Sequence, residues 1–204
     1  LQPTGFVLKS SLKQERSEFL LRIIVMGVSG SGKSTLAEGL SKALSLPMKD
    51  GDEFHLPESI AKMSAGIALQ DTDRWPWLDR IASYLADNQP GPQGGAKEYC
   101  PQGNAGAIVS CSALKRIYRD RIRQQAGPVV FLFLDGSPEL IRQRMQERKG
   151  HYMQAGLLDS QFLTLEKPGS DEVDVITLPI DQTVSSLLEN ALLKLDVHLG
   201  LGPV

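Results

Sequence analysis

The sequence holds only two cysteines in 204 residues, Cys100 and Cys111. Two thiols cannot form a disulfide framework, and a reducing, cytoplasmic compartment is the expectation. Long apolar runs are missing as well. The longest, Phe19 to Met26, is interrupted by Arg22 and is far too short to span a bilayer, so no membrane role is expected. No basic-then-apolar run with a small-residue cleavage site marks a secretory signal. Neither sign of charge dominates: 22 Lys and Arg stand against 24 Asp and Glu, a net charge of -2. That balance argues against a dominant nucleic-acid or anionic-membrane surface. There is no internal repeat. What remains is an ordinary globular composition, 41% hydrophobic and 23% charged, sized for one domain with a small surplus.

The surplus can be located. Residues 1–18 read as a polar extension, 19–198 as a single domain, and 199–204 as a tail. Within the domain, Asn88 to Gly106 carries three prolines and five glycines and reads as a surface insertion. The rest alternates strand-like and helix-like segments. Strands are expected at Leu20 to Met26, Leu46 to Met48 (running on to Asp50), Ala105 to Cys111, Val129 to Leu134 and Val173 to Leu178. Helices are expected at Lys33 to Leu44, Pro57 to Ala65, Asp73 to Asp87, Ala113 to Gln125, Pro138 to Arg148 behind a Ser137 cap, Gly156 to Glu166, and Thr183 to Leu195. Such alternation predicts an α/β fold: a doubly wound parallel sheet covered by helices on both faces.

The first strand leads into Gly27-Val28-Ser29-Gly30-Ser31-Gly32-Lys33-Ser34, followed by Thr35. This matches G-x-x-x-x-G-K-[ST] in its proper setting, after a strand and before a helix, and identifies a P-loop NTPase phosphate site. Glycines allow a tight loop whose N–H groups face phosphate oxygens, and the helix start adds its positive dipole end. Lys33 can reach the β- and γ-phosphates of ATP, and the Ser34 hydroxyl can ligate Mg²⁺. No N-K-x-D motif selects guanine, and motor ATPases are usually larger, which leaves mostly small-molecule kinases.

The next strand ends in Asp50-Gly51-Asp52-Glu53-Phe54-His55. Carboxyl ends of strands face the ligand crevice in such sheets. Asp50 is placed to hold a Mg²⁺-bound water, and Asp52 to accept or orient the proton of the attacking hydroxyl. Taken without the upstream loop, the same residues would be an Asp-Gly turn with solvated carboxylates.

At this point the chain resembles the gluconokinase family. The resemblance rests on the Gly27 to Ser34 loop, Asp50 to His55, Ile60-Ala61-Lys62-Met63, Asp73-Arg74-Trp75-Pro76-Trp77-Leu78, Cys111-Ser112-Ala113-Leu114-Lys115, Arg148-Lys149-Gly150-His151-Tyr152-Met153, and Leu157-Leu158-Asp159-Ser160-Gln161-Phe162. It implies a fold of the shikimate and adenylate kinase type, and transfer of the ATP γ-phosphoryl group to the 6-hydroxyl of D-gluconate. A kinase for another hydroxy acid, such as shikimate, and a catalytically silent nucleotide-binding module are the alternatives. Family members are commonly dimers, which leaves a homodimer open.

A polyol carboxylate needs a cation and many polar partners. By resemblance Arg74 is the candidate carboxylate clamp, with a surface arginine as its plain reading. His55 can donate to a substrate hydroxyl or serve as a structural histidine. Ser112 and Lys115 follow the third strand and face the same crevice, Arg116 being an alternative contact. Trp75, Trp77 and Cys111 read as packing residues.

From Lys115 to Lys149 there are nine cations and four acids, a local excess of five. Most read as solvated helix faces. The exceptions are Arg144 and Arg148, which adjoin a segment that the resemblance identifies as a lid. Arginines closing over the γ-phosphate would neutralise charge in transit. Asp135, at the end of the fourth strand, has the sequence setting of a Walker B carboxylate. It is not assigned that role, because the resemblance puts its strand across the first strand from Asp50.

Overall fold

The computed structural model describes residues 20–88, 105–147 and 155–201. Five strands form one parallel sheet: β1 (Leu20–Met26), β2 (Met48–Asp50), β3 (Ala105–Ser110), β4 (Val130–Asp135) and β5 (Val175–Pro179), in the order β2-β3-β1-β4-β5. Seven helices are described: α1 (Lys33–Leu44), α2 (Pro57–Ser64), α3 (Asp71–Asp87), α4 (Arg116–Ala126), α5 (Pro138–Glu147), α6 (Ala155–Thr164) and α7 (Val184–His198). A short 3-10 turn, Gly51–Phe54, follows β2.

The near-continuous apolar β1 sits in the middle because both of its faces are covered. Leu21, Ile23 and Val25 pack with Leu36 and Leu40 of α1 and Leu187 and Leu195 of α7. Ile24 and Met26 point the other way, into Trp77, Leu78 and Ile81 of α3 and Tyr118 and Ile122 of α4. The parallel register runs Val25 opposite Ser110 on one side and opposite Leu132 on the other. β4 lies across β1 from β2, as expected. Among the described residues no helix is long and apolar enough to cross a membrane.

Element types agree with the sequence reading, but several boundaries move. α3 starts at Asp71 rather than Asp73, because Gln70 and Asp73 form a reciprocal capping box around the first turn. α4 starts at Arg116 rather than Ala113, because Ala113 adopts a left-handed φ of 41° that no helix continues through. β2 covers Met48–Asp50, later than the Leu46 start expected. The 1–18 extension, most of the 88–106 insertion, Arg148 and the 150–153 lid segment lie outside the described residues.

Candidate active site

The phosphate loop leaves β1 at its carboxyl end. Gly27, Gly30 and Gly32 all have positive φ, at 145°, 80° and 100°. Position 30 is closed to a side chain on a second count: an added Cβ would lie 2.7 Å from Met145 Cγ of α5. Within the loop, the Ser31 N–H donates to the Val28 carbonyl at 3.3 Å. Lys33 Nζ donates to the same carbonyl at 3.0 Å, which holds the ammonium against the loop. Ser31 is buried, and its hydroxyl has no hydrogen-bond partner among the described residues. Thr35 is exposed on the first turn of α1.

The Ser34 hydroxyl donates to Asp50 Oδ2 at 3.0 Å, joining the loop to the end of β2. The other Asp50 oxygen accepts from the Asp52 N–H at 3.0 Å, and the Asp50 N–H donates to Glu53 Oε1 at 3.0 Å. This capping box makes the Asp-Gly-Asp segment a rigid turn and turns Asp52 outward, its side chain 91% exposed. Gly51 is required by close approach: an added Cβ would meet the Ser110 carbonyl oxygen at 2.4 Å. The Gly27 N–H donates to the Ser112 carbonyl at 3.3 Å, so the turn after β3 abuts the loop as well.

Ser34 and Asp50 bring together two oxygen donors of the kind a hard divalent cation takes. Among the described residues no three His, Cys, Asp or Glu side chains cluster as a self-sufficient metal cage.

His55 is buried and stacks on Trp77, with ring centroids 4.5 Å apart and planes 10° from parallel. Its Nε2 lies 3.9 Å from Asp52 Oδ1, while Nδ1 has no partner among the described residues. Burial pulls the imidazole below its ordinary range, and the nearby Arg74 charge adds to that, against the opposing pull of Asp52. A neutral ring beside Asp52 can donate or accept a hydrogen bond without adding charge. Trp77 is core, as expected, and its indole N–H donates to the Gly51 carbonyl at 2.6 Å. It therefore ties α3 to the Asp-Gly-Asp turn.

Arg74 and Lys115 come together around two residues that sequence reasoning missed, Asp71 and Tyr118. Lys115 Nζ reaches both Asp71 oxygens, at 2.8 and 2.9 Å. The Tyr118 hydroxyl also donates to Asp71 Oδ1. Arg74 Nη1 donates to the Leu69 carbonyl at 2.6 Å and to the Tyr118 hydroxyl at 3.4 Å, and lies 3.8 Å from Asp71 Oδ1. Both cations sit over the Tyr118 ring. The bonds from Lys115 and then Tyr118 hold the Asp71 carboxyl below its ordinary range, and Asp71 raises Lys115 in turn. Asp71 lies ahead of the Asp73 helix start that periodicity predicts. Its i, i+3 spacing to Arg74 was the available signal.

Other expectations meet mixed outcomes. Cys111 is buried packing, its thiol pushed up to about 12 chiefly by loss of solvent. Trp75 is half-buried, edge-on to Tyr118. Arg116 pairs with Asp171 at 2.5 Å. Arg144 donates to the Ile180 carbonyl at the end of β5. Asp135 pairs with Lys167 at 2.8 Å. Arg119, read with the solvated cations, is fully buried instead. It makes a two-pronged pair with Glu172 at 2.6 and 2.7 Å and donates to the Ala113 and Leu114 carbonyls at 3.3 Å each. Its placement clamps the left-handed turn that carries Ser112 and Lys115.

A phosphate loop at the carboxyl end of the central strand of this parallel sheet defines a P-loop NTPase fold. A shikimate kinase from Aquifex aeolicus vf5 shares the fold at 15% identity, with a TM-score of 0.53 over 89% of this chain and 100% of its own. No protein-family model matches the chain. The thermosensitive gluconokinase of Escherichia coli strain K12 is 41% identical over 168 residues, 81% of this chain and 82% of its own. A gluconokinase structure from Sinorhizobium meliloti 1021 is 41% identical with a TM-score of 0.72, covering 89% of this chain and 93% of that one. The chain belongs to the gluconokinase family.

Proposed function

We propose that the protein transfers the γ-phosphoryl group of ATP to the 6-hydroxyl of D-gluconate, giving 6-phospho-D-gluconate and ADP. The observation that carries this is the meeting of two sites at one sheet end. The loop from Gly27 to Thr35, with Ser34 on Asp50, serves the nucleotide, and the Asp71, Arg74, Lys115 and Tyr118 cluster beside Asp52 and His55 serves the acceptor. Family membership supports the choice of acceptor.

The chemistry follows from this placement. Loop N–H groups cradle the phosphates, and Lys33 leaves the Val28 carbonyl to pair with the β- and γ-phosphates. Ser34, and Asp50 through a water, would hold Mg²⁺, which when bound neutralises charge on the same phosphates. The acceptor cluster carries two cations and one carboxylate, a net +1 that matches a monocarboxylate. Arg74 and Lys115 take the substrate carboxylate, while His55 and the polar turn at Ser112 meet hydroxyls. Asp52, exposed and 3.9 Å from His55 Nε2, takes the proton of the 6-hydroxyl as that hydroxyl's oxygen attacks the γ-phosphorus and the bond to the β–γ bridging oxygen breaks. Arg144 and Arg148 are assigned to charge neutralisation on the transferred group; for Arg144 this requires release from the Ile180 carbonyl. The test is acceptor-dependent ADP release, with gluconate compared against shikimate and other hydroxy acids.

A further inference from the structure

One side chain far away in sequence grips the phosphate loop directly. Gln161 of α6 accepts from the Ser29 N–H through Oε1 at 2.7 Å and donates from Nε2 to the Ser29 hydroxyl oxygen at 3.1 Å. The planar carboxamide thus meets both polar groups of a single loop residue, and the N–H donor fixes which end of the amide faces it. The grip is firm because α6 is itself anchored. Leu158, one turn earlier, is buried in the core shared with α1, and Phe162 packs against that core. Asp159 pairs with Arg142 of α5 at 2.8 Å, and Met145 of the same α5 closes over Gly30.

The loop needs such a grip. Gly27 to Gly32 contains three glycines and two serines, a composition that loses much conformational freedom when ordered. A phosphate cradle binds well only if that cost is met before the ligand arrives. Lys33 holds the loop from inside, at the Val28 carbonyl, but it must leave that position to reach phosphate. Gln161 holds the next residue, Ser29, from α6, through both ends of its carboxamide.

We propose that Gln161 is a positioning residue for the nucleotide. It fixes the Ser29–Gly30 limb so that the remaining loop N–H groups face the phosphates, and it acts on nucleotide affinity rather than on the acceptor. This goes beyond the acceptor assignment and needs only the kinase class.

The test uses the full chain carrying Gln161→Leu, which keeps side-chain bulk and removes both hydrogen bonds. MgADP affinity is measured by titration calorimetry, and the KM values for MgATP and gluconate are measured in parallel. The expected result is MgADP affinity weakened roughly tenfold. The MgATP KM should rise to match, the gluconate KM stay within about twofold, and unliganded Tm stay within about 2 °C. Ser29→Ala, which loses only the hydroxyl bond, should weaken MgADP less, and should add nothing once Gln161→Leu is present. Should Gln161→Leu not fold, Gln161→Asn, one methylene too short to reach, gives the same readout. Unchanged MgADP affinity, or equal rises in both KM values, overturns the proposal. The calorimetry is read without turnover, so it stands apart from whether gluconate is the acceptor.

Discussion

Asp71 receives Lys115 Nζ on both of its carboxylate oxygens, at 2.8 and 2.9 Å, across 44 residues of sequence. This pair sets the geometry of the cluster proposed to bind the acceptor. Tyr118 joins it on Oδ1, and Arg74 stands 3.8 Å from the same atom. One carboxylate thereby spaces two cations and reduces their summed charge. Asp71→Asn should release Lys115 and misplace Arg74. The gluconate KM should rise roughly tenfold, about 1.4 kcal/mol, with the MgATP KM unchanged. Steady-state kinetics in each substrate check this, and a matching rise for MgATP would remove Asp71 from the acceptor side.

In the proposed mechanism Lys33 serves the transferred phosphate and Asp52 the acceptor hydroxyl. Lys33→Ala should lower turnover by about 10²-fold or more at saturating ATP, because the charge it neutralises develops during transfer. Near-normal turnover in that variant would contradict the phosphate-site assignment. Asp52→Asn should lower turnover more than it weakens MgATP binding. An equal loss in both would place it on the nucleotide side instead.

The buried Arg119–Glu172 pair underlies the acceptor turn and carries a pH signature. Bonds from Arg119 and Arg123 hold Glu172 at about 2, well below its ordinary 4.5. The folded state therefore binds this proton less readily than the unfolded chain. The pair's contribution is complete above about pH 4.5 and is lost as pH falls towards 2. Glu172→Gln should cost about 3 kcal/mol at pH 7, since it leaves Arg119 buried without its partner. Denaturant unfolding of both proteins should show the gap narrowing below pH 4.5. A gap that stays constant with pH would mean that the charge on Glu172 contributes nothing.

The parts of this fold legible in the sequence were those with short-range signatures. The glycine pattern, the apolar β1 and the amphipathic α1 located the phosphate loop, and Asp50 and Asp52 followed from the strand-end rule. Asp71, Tyr118, Arg119 and Gln161 were not assigned, although Gln161 stood within a recognised motif. Their partners are 44 to 132 residues away, and their side chains are ordinary helix residues by pattern alone. Arg119 shows the limit most clearly. A cation on a basic helix reads as solvated, and only Glu172, from a loop before β5, makes its burial tolerable. The helix starts at Asp71 and Arg116 depend on a capping box and on one left-handed alanine, which periodicity does not register.

The measurement that bears most directly on the central claim is ADP release by the purified full chain with MgATP, in the presence and absence of D-gluconate, with the product identified by NMR. ADP release that depends on gluconate and yields the 6-phosphate is the predicted result. ADP release that gluconate does not stimulate, or that shikimate stimulates equally, would contradict the account.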